Sequence, residues 1–358
     1  MNARSQTRIL WAAVGLAVAS TAAPAVGTRT VGFPPRLDEY LTHGVAISAE
    51  ERKTLLAGAP VTKMLDGDKG KEVGVFGAVW VNAPVRRYVE AVSDIEQFER
   101  GGGFTLTKRI GAPPTPEDFA DMRLPDEDIK DLRKCRVGDC VVKLDAEAIQ
   151  TLRAEVDWKS PDARATVDRI MQRFALTYVM GYLEGGNERL AIYRDHDRPT
   201  FVAEEFRTMI GQMPELTTYV PNLRRYLLEY PASLAAQPAS FLYWQETNFG
   251  LRPTIRISHL SIWETADGTA VASKMLYASH YFWTGLELRV LLPDPSRGQG
   301  FWFVMVNRSR SDGLSGFTGR VIRGRVRSEV QKGMLAGLLA TRKRIETPAG
   351  TGAHEAGH

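Results

Sequence analysis

The sequence lacks the motifs by which many enzymes are recognised. Its 358 residues contain no G-x-S-x-G, no Walker A pattern, no G-x-G-x-x-G and no C-x-x-C. These absences argue against a serine-hydrolase elbow, a phosphate-binding loop, a dinucleotide-binding fold and a thioredoxin-like redox pair. The sequence therefore predicts no catalytic residues of these classes and no cofactor.

An excess of charge of one sign is also missing. Forty-six basic and 42 acidic side chains give a net charge of +4, which is too small to indicate a nucleic-acid partner. The composition, with 44% hydrophobic and 25% charged residues, is that of an average globular protein. It excludes a mainly disordered or collagen-like chain.

Long apolar runs are absent beyond the N-terminus. A transmembrane helix takes about 20 apolar residues, and no run after Ala25 reaches that length. At the N-terminus two arginines precede the apolar run Ile9–Ala19, and the small residues Ala23-Pro24-Ala25 follow. We expect residues 1–25 to be a signal peptide and the mature protein to be exported to the periplasm. An uncleaved N-terminal anchor is the alternative.

Cysteine is scarce, because only Cys135 and Cys140 occur. A closely spaced pair in an exported protein predicts a disulfide, here a small loop with a mainly local effect on stability. No histidine lies near the pair to complete a metal site.

One metal-binding motif occurs without the context that it needs. His354-Glu355-Ala356-Gly357-His358 matches H-E-x-x-H, in which two histidines one helical turn apart bind zinc. The match contains a glycine and follows Pro348, so we expect residues 347–358 to form a disordered tail. We therefore predict no metal site.

The remaining patterns divide the chain into three parts. Residues 26–72 are expected to form a linker and a helix over 48–56, while 73–112 and 238–346 form one α+β domain around an insertion at 113–237. In the domain we predict a strand, a helix and a strand before the insertion, then five strands and a last helix: 73–81, 85–98, 104–110, 241–248, 254–264, 270–279, 281–292, 301–309 and 317–345. The insertion is expected to be helical over 145–156, 161–183, 201–209 and 216–228.

This order of elements resembles the helix-grip fold of the START-like superfamily, which includes lipid-transfer domains and polyketide cyclases. The resemblance rests on Gly77-Ala78-Val79-Trp80-Val81-Asn82-Ala83-Pro84 leading into Val85–Asp94, and on Phe301–Asn307 followed by the helix from Phe317. It implies a curved antiparallel sheet wrapped on a long C-terminal helix, here with a mainly helical insertion. It also implies a cavity between the sheet and that helix.

Aromatic residues are concentrated in the five late strands, with twelve between Phe241 and Phe303. Alternation places them on both faces, so either both faces are covered or one face lines an apolar cavity. The resemblance favours the cavity. The residues that we expect to bind a ligand there are Trp244, Trp263, Tyr277, His280, Tyr281, Trp283, Arg289, Trp302, Val326, Val330, Gly333 and Gly337.

Charged residues also occur in these apolar strands, among them Arg256, Lys274, Glu287 and Arg289, and solvent-facing positions are the simplest interpretation. Alternation places Glu287 and Arg289 on the same face as Tyr281 and Trp283, where an ion pair or a ligand headgroup could satisfy them. His259 and His280 are predicted to be packed, hydrogen-bonded side chains; the alternative is a general base.

The last helix carries an apolar stripe of Ile322, Val326, Val330, Met334 and Leu338. Gly333 and Gly337 indicate either a close approach to the sheet or room for a ligand. Arginines in its first half could contact an anionic membrane surface, although a solvated face is the simpler interpretation.

These observations predict an exported binding or carrier protein for a hydrophobic small molecule, a lipid or an isoprenoid, held between the sheet and the last helix. The alternatives are a cyclase-like enzyme that uses His259 or His280, and an envelope interaction protein without a ligand. The insertion could act as a lid.

Overall fold

An antiparallel sheet of eight strands forms the centre of the protein in a computed structural model. The structure describes residues 32–101, 103–231, 237–248, 252–312 and 316–347, of which residues 217, 316–323 and 325 are described by their backbone alone. The expected signal peptide at 1–25 and the tail from 348 lie outside the described residues. The strands are β1 Val61–Leu65, β2 Glu72–Val81, β3 Phe104–Arg109, β4 Ile192–Tyr193, β5 Thr200–Phe201, β6 Ala239–Thr247, β7 Thr254–Thr265, β8 Gly268–Ala278, β9 Phe282–Pro293 and β10 Phe301–Ser311.

Helices occur before, within and after the sheet. They are α1 Pro35–Glu39, α2 Ala49–Leu56, α3 Val85–Ser93, α4 Ile95–Phe98, α5 Asp126–Leu132, α6 Ala146–Glu155, α7 Ala163–Gly185, α8 Val202–Gly211, α9 Pro214–Tyr219, α10 Pro221–Glu229 and α11 Gly316–Glu346. A π-helical turn, Tyr40–Gly44, follows α1, and short 3₁₀ turns occur at Pro116–Phe119, Gly186–Arg189 and Pro295–Arg297. The fold is α+β, with a helical middle region as expected.

The strand order is β1-β2-β10-β9-β8-β7-β6-β3, with every neighbouring pair antiparallel. After β2 the chain passes through α3 and α4 to the opposite edge of the sheet, where it forms β3. After the insertion, β6 pairs with β3, and a continuous meander from β6 to β10 returns to β2. The first and last strands of the predicted domain are therefore neighbours, although more than 200 residues separate them.

Most boundaries agree with the sequence patterns within a few residues, and three differences have local causes. The helix expected over 85–98 breaks at Asp94, whose side chain accepts a hydrogen bond from the Gln97 amide and starts α4. The helix expected over 216–228 is two helices, with Pro221 beginning the second. Pro35 likewise starts α1 inside the stretch expected to be a linker. Strand β1 was not predicted.

Both faces of the sheet are covered. The face that carries Val75, Val79 and Phe303 packs against α3, α4 and α11, and we call it the α11 face. The face that carries Phe76 and Val304 packs against the N-terminal segment and the inserted helices, and we call it the insertion face. Aromatic residues on both faces follow from this arrangement, because each face buries its own core.

Helix α11 packs mainly on β2, β1 and α3. Burial along its predicted stripe increases toward the C-terminus, from half-buried Val326 and Val330 to buried Met334 and Leu338. The side chain of Ile322, the first stripe residue, lies outside the described part. Gly77 of β2 permits the close approach, because a Cβ there would lie 2.8 Å from atoms of Met334 and Leu338.

The expected disulfide joins Cys135 and Cys140, both buried in the insertion. The helix predicted at 48–56 is confirmed as α2, with a capping box between Ser48 and Glu51. None of the described helices combines the length and the apolar character that crossing a membrane requires.

Candidate functional site

The structure divides the twelve expected binding residues between two faces and one corner of the sheet. Trp244 and Tyr277 belong to the core beneath the inserted helices, and Trp263 and Trp302 belong to the core beneath the N-terminal segment. The indole of Trp244 donates to the carbonyl oxygen of Asp118 over 2.8 Å, which fixes it to the insertion. These four side chains therefore lie on the insertion face, away from α11.

Three further residues form the corner between β8 and β9. His280 is buried, and its Nε2 lies 2.8 Å from Oδ2 of Asp128, whose other oxygen accepts from Arg252 over 3.2 Å. Tyr281 has a φ of +62°, and the Phe282 amide donates to the His280 carbonyl oxygen across it in a tight three-residue turn. This turn joins the strands and ties them to α5.

The expectation that Trp283 shares a face with Glu287 and Arg289 is wrong. Arg310 pairs with Thr284 and Ser311 with Phe282, so the register skips Trp283 at a β-bulge. An extra residue ends the strict alternation of side chains. Trp283 packs instead beside the core of the insertion face.

The remaining expected residues lie on the α11 face or on α11 itself. Val330 packs against the core of that face, and Val326 is half-buried one turn earlier. A Cβ on Gly333 or Gly337 would meet nothing within 4 Å, so these glycines do not mediate a close approach to the sheet. Gly77 has that role instead.

Arg289 is the centre of a buried ionic cluster on the α11 face. Its Nη2 lies 3.1 Å from Oε1 of Glu99 and also contacts Glu287, and its guanidinium stands 5.4 Å from the ring centre of Phe98. Arg289 is 6% exposed and Glu99 is 9% exposed. The interpretation of these charges as solvated is therefore wrong for Arg289, and the ion-pair alternative is confirmed.

Four donor atoms around this cluster are buried without a hydrogen-bond partner of standard geometry among the described residues. They are Nη1 of Arg289, Nε of Arg256, Oγ of Ser258 and the hydroxyl of Tyr88, which interacts with Arg289. The acceptor Oε1 of Glu287 is buried in the same way, in contact with Nη2 of Arg289. The charges of Arg256 and Arg289 both act on Glu99 and on Tyr243, which places the two guanidinium groups in one electrostatic environment. Buried polar groups are nearly always paired, so four together require an explanation.

Sheet register connects these residues. Ser258 and Arg256 are alternate residues of β7, and Ser258 pairs with Tyr243 on one side and Met275 on the other. The Tyr243 hydroxyl lies 2.5 Å from Oγ of Ser273, which pairs with Glu287. Arg256 and Ser258 therefore lie on β7 and Arg289 on β9, with β8 between them, while Tyr88 belongs to α3.

The α11 face is not completely buried around this cluster. Arg256, Glu287, Met305, Asn307 and Ser309 on the sheet are half-buried. On α11, Val326 and Val330 are half-buried as well. Sheet and helix are in close contact at Gly77, and the α11 face is less completely covered along β10.

The cluster contains hydrogen-bond donors that have no acceptor of standard geometry among the described residues. All four unpartnered atoms can donate a hydrogen bond, and two of them belong to guanidinium groups. Burial raises the pKa of Glu99, while the charge of Arg289 lowers it. The arrangement therefore favours a ligand that accepts hydrogen bonds and carries negative charge.

A second buried polar group, around Lys274 and His259, lies on the insertion face. Lys274 contacts Oδ1 of Asn187 and lies 4.4 Å from the ring centre of Phe206, with no carboxylate in ion-pair range among the described residues. The Tyr182 hydroxyl lies 3.0 Å from Nδ1 of His259. Burial lowers the pKa of Lys274 to about 7.

The His259 side chain is buried, like that of Lys274. Burial, and then the charge of Lys274, lower the pKa of His259 to about 3. Neither His259 nor His280 lines the cavity beside Arg327 or the cavity beside Glu215. Both are buried and hydrogen-bonded, as the simpler interpretation predicts.

Three potential metal ligands converge at Asp195, His196 and Asp312, with ligand atoms within 4.8 Å of one another. The ammonium group of Lys143 already lies among them, 2.7 Å from Asp195 and also in contact with Asp312. A fixed positive charge at this point opposes a metal ion. The H-E-x-x-H motif at 354–358 lies outside the described residues.

The basic first half of α11 is only partly described. Arg327 lines an open polar cavity of about 320 Å³ together with Leu65, Asp66, Gly67, Lys69 and Glu72. Lys332 is exposed and pairs with Glu329 over 2.9 Å. Contact of this helix with an anionic membrane stays a prediction.

Sequence patterns missed Glu99 and Ser258 as members of the site. Glu99 follows directly after the short helix α4 and reads as an ordinary surface residue. Its position against Arg289 depends on a pairing across 190 residues. The only local signal was the unusual placement of Arg256, Glu287 and Arg289 among strand residues.

Comparisons with known proteins add no assignment to this geometry. No protein-family model matches the chain, and no curated protein shows significant similarity to it.

Proposed function

We propose that the protein is an exported binding or carrier protein for a hydrophobic small molecule with an oxyanion head, such as a lipid or an isoprenoid. The ligand lies between the sheet and α11, on the α11 face. The observation that carries this proposal is the group of four buried, unpartnered donors around Arg289.

The head of the ligand accepts hydrogen bonds from Arg256, Ser258 and Arg289. A carboxylate or phosphate offers enough acceptor positions for several donors at once, and hydrogen bonds between charged groups are stronger than neutral ones. Binding would relieve the cost of leaving these donors buried and unpaired, which is about 1–3 kcal/mol for each neutral group. Tyr88 supplies the fourth donor.

The apolar part of the ligand follows the half-buried surface between β10 and α11. Met305, Val326 and Val330 offer apolar contact there. Met275 lies close by, because a Cβ on Gly285 would be 3.4 Å from its methyl group. Methionine side chains adapt to ligands of different shape, which suits a carrier.

The resemblance to the helix-grip fold supports the same placement. The strand after β2 lies at the far edge, and the closing strand β10 returns beside β2 before α11. The resemblance implies an antiparallel sheet packed against a long C-terminal helix. The insertion, which covers the other face, is then not a lid over this site, and the expected lid function has no support from the packing.

The test compares two serines of one strand. Ser258 and Ser261 are both buried in β7, but alternation places them on opposite faces. We would purify the wild type, Ser258→Leu and Ser261→Leu from their native envelope, measure native masses and extract the ligand. Thermal unfolding of each variant provides the control for folding.

The proposal predicts a bound lipid or isoprenoid with an oxyanion head in the wild type and in folded Ser261→Leu, and its loss in folded Ser258→Leu. Where a leucine variant does not fold, Ser258→Ala and Ser261→Ala replace the pair. Equal ligand content in the two serine variants would contradict the proposed site. A wild type without any ligand, and without uptake of added oleate, would contradict the function.

A further inference from the structure

A small cavity lies on the insertion face, on the side of the sheet opposite the proposed carrier site. Its volume is about 60 Å³. Strands β8, β9 and β10 form its floor, and the N-terminal segment and α9 form its walls. It is lined mainly by apolar side chains, among them Ala270, Leu288 and Val306, and also by Tyr40, Glu215 and Tyr219.

Glu215 places a carboxyl group in this apolar cavity. It is 7% exposed, and its Oε1 is buried without a hydrogen-bond partner among the described residues. Burial raises the pKa of Glu215, while a hydrogen bond from its own backbone amide and the charge of Arg308 lower it. Arg308 itself is held by Glu72 at 2.6 Å. The unpartnered oxygen therefore points to a missing donor.

Two tyrosine rings stand beside the carboxyl group. Tyr40 and Tyr219 both line the cavity, and their ring centres are 5.8 Å apart in an edge-to-face arrangement. The guanidinium of Arg36 lies 5.3 Å from the ring centre of Tyr219 and pairs with exposed Asp267 at 2.6 Å. A cation thus already occupies the outer side of this aromatic pair.

We infer that the cavity is a second binding site, which takes a small alkylammonium ion. The ammonium group donates to Oε1 of Glu215 and lies against the rings of Tyr40 and Tyr219, as cations do in aromatic cages. The alkyl group packs on the valines and leucines of β9 and β10. A charge in an apolar site needs a counter-charge and hydrogen bonds, and each partner supplies these to the other.

The volume limits the size of the ligand. One buried water needs about 10–15 Å³ of such space, so the cavity accommodates roughly four or five non-hydrogen atoms. A lipid chain does not fit inside it. The site is therefore distinct in both ligand size and charge from the proposed carrier site.

The experiment is an NMR titration of the full chain with three probes of four carbon atoms each: n-butylammonium, 1-butanol and butyrate. We expect n-butylammonium to bind about tenfold more tightly than 1-butanol, because it adds an ion pair to the same alkyl contact, and butyrate not to bind. In Glu215→Gln the preference for the amine over the alcohol disappears. Glu229→Gln, which changes an exposed glutamate of α10, keeps it.

A second variant tests the location. Ala270→Leu fills the cavity from the sheet and abolishes binding of both n-butylammonium and 1-butanol, whereas Ser258→Ala on the other face leaves both unchanged. Where Ala270→Leu does not fold, Val306→Phe replaces it. Equal binding of n-butylammonium to the wild type and to Glu215→Gln would overturn the inference, as would equal affinity for the amine and the alcohol.

Discussion

At the scale of single residues, the unusual feature of this protein is the burial of charge without a full set of partners. Lys274 is 1% exposed, and its contacts are an amide oxygen, a hydroxyl, a backbone carbonyl and two aromatic rings. A lysine held in this way keeps its proton poorly, because burial disfavours the charged form. Folding is therefore coupled to deprotonation of this side chain.

The pH dependence of stability follows from that coupling. The pKa of Lys274 falls from 10.5 to about 7 on folding, so between these values the unfolded chain binds more protons than the folded chain. The free energy of unfolding of the wild type therefore rises with pH in this window. The penalty is fully present below pH 7 and disappears above the unfolded pKa.

We expect Lys274→Met to remove that slope. The unfolding free energy of the variant minus that of the wild type should fall by about 3 kcal/mol between pH 7 and pH 9.5. Urea denaturation at both pH values measures the difference, with exposed Lys332→Met as the control. A difference that does not change with pH would contradict the assignment.

Arg289 gives the opposite case, a buried cation with two carboxylates. Arg289→Met leaves Glu99 and Glu287 without their cation, and we expect a loss of about 3–5 kcal/mol in unfolding free energy at pH 7. Adding Glu99→Gln to that variant should restore part of the loss. Chemical denaturation of both variants checks this, and equal stability of the single and double variants would contradict the ionic cluster.

Sequence reasoning reached these residues only in part. It recognised that Lys274 and Arg289 are unusual in apolar strands, but alternation alone suggested solvent as their surroundings. Their burial depends on helices far away in the chain: α7 and α8 for Lys274, and the end of α4 for Arg289. Such pairings have no periodic signal.

At the scale of elements, the contact between β2 and α11 determines where the last helix lies. Gly77 is the position of closest approach, with Met334 and Leu338 directly over it. The sequence predicted both elements and the helix stripe from periodicity. It assigned the small-residue role to Gly333 and Gly337, because spacing along one helix does not reveal which partner lacks a side chain.

A pair of glycine substitutions tests this contact. Gly77→Ala places a Cβ against Met334 and Leu338, and we expect it to cost about 1–3 kcal/mol in unfolding free energy. Gly333→Ala meets nothing within 4 Å and improves helix propensity, so we expect a gain of about 0.5–1 kcal/mol. Thermal or urea unfolding measures both. Opposite signs confirm the geometry, and a stabilising Gly77→Ala would contradict it.

Strand irregularities limited the prediction of the site in the same way. The bulge at Trp283 and the turn at Tyr281 end the alternation that placed both residues with Arg289. A bulge adds one residue without changing the hydrophobic pattern nearby, so a sequence pattern does not locate it. The strands themselves were predicted well, because their apolar runs are long and bounded by turns.

At the scale of the whole molecule, one sheet separates two different buried environments. The α11 face carries buried donors beside an incompletely covered apolar surface. The insertion face carries an apolar cavity with a carboxyl group. The sequence predicted the α+β architecture, but it left open whether both faces are covered or one lines a cavity, since aromatic residues alternate on both sides. It did not predict the chemistry of each side, which depends on groups brought together from distant parts of the chain.

The most direct measurement of ligand binding on the α11 face is the native mass of the delipidated protein after incubation with oleate, an aliphatic chain with an oxyanion head. We expect one bound oleate per chain in the wild type and in Ser261→Ala, and weaker or no binding in Ser258→Ala. Absence of oleate from the wild type, or equal binding by the two serine variants, would contradict a carrier site on the α11 face.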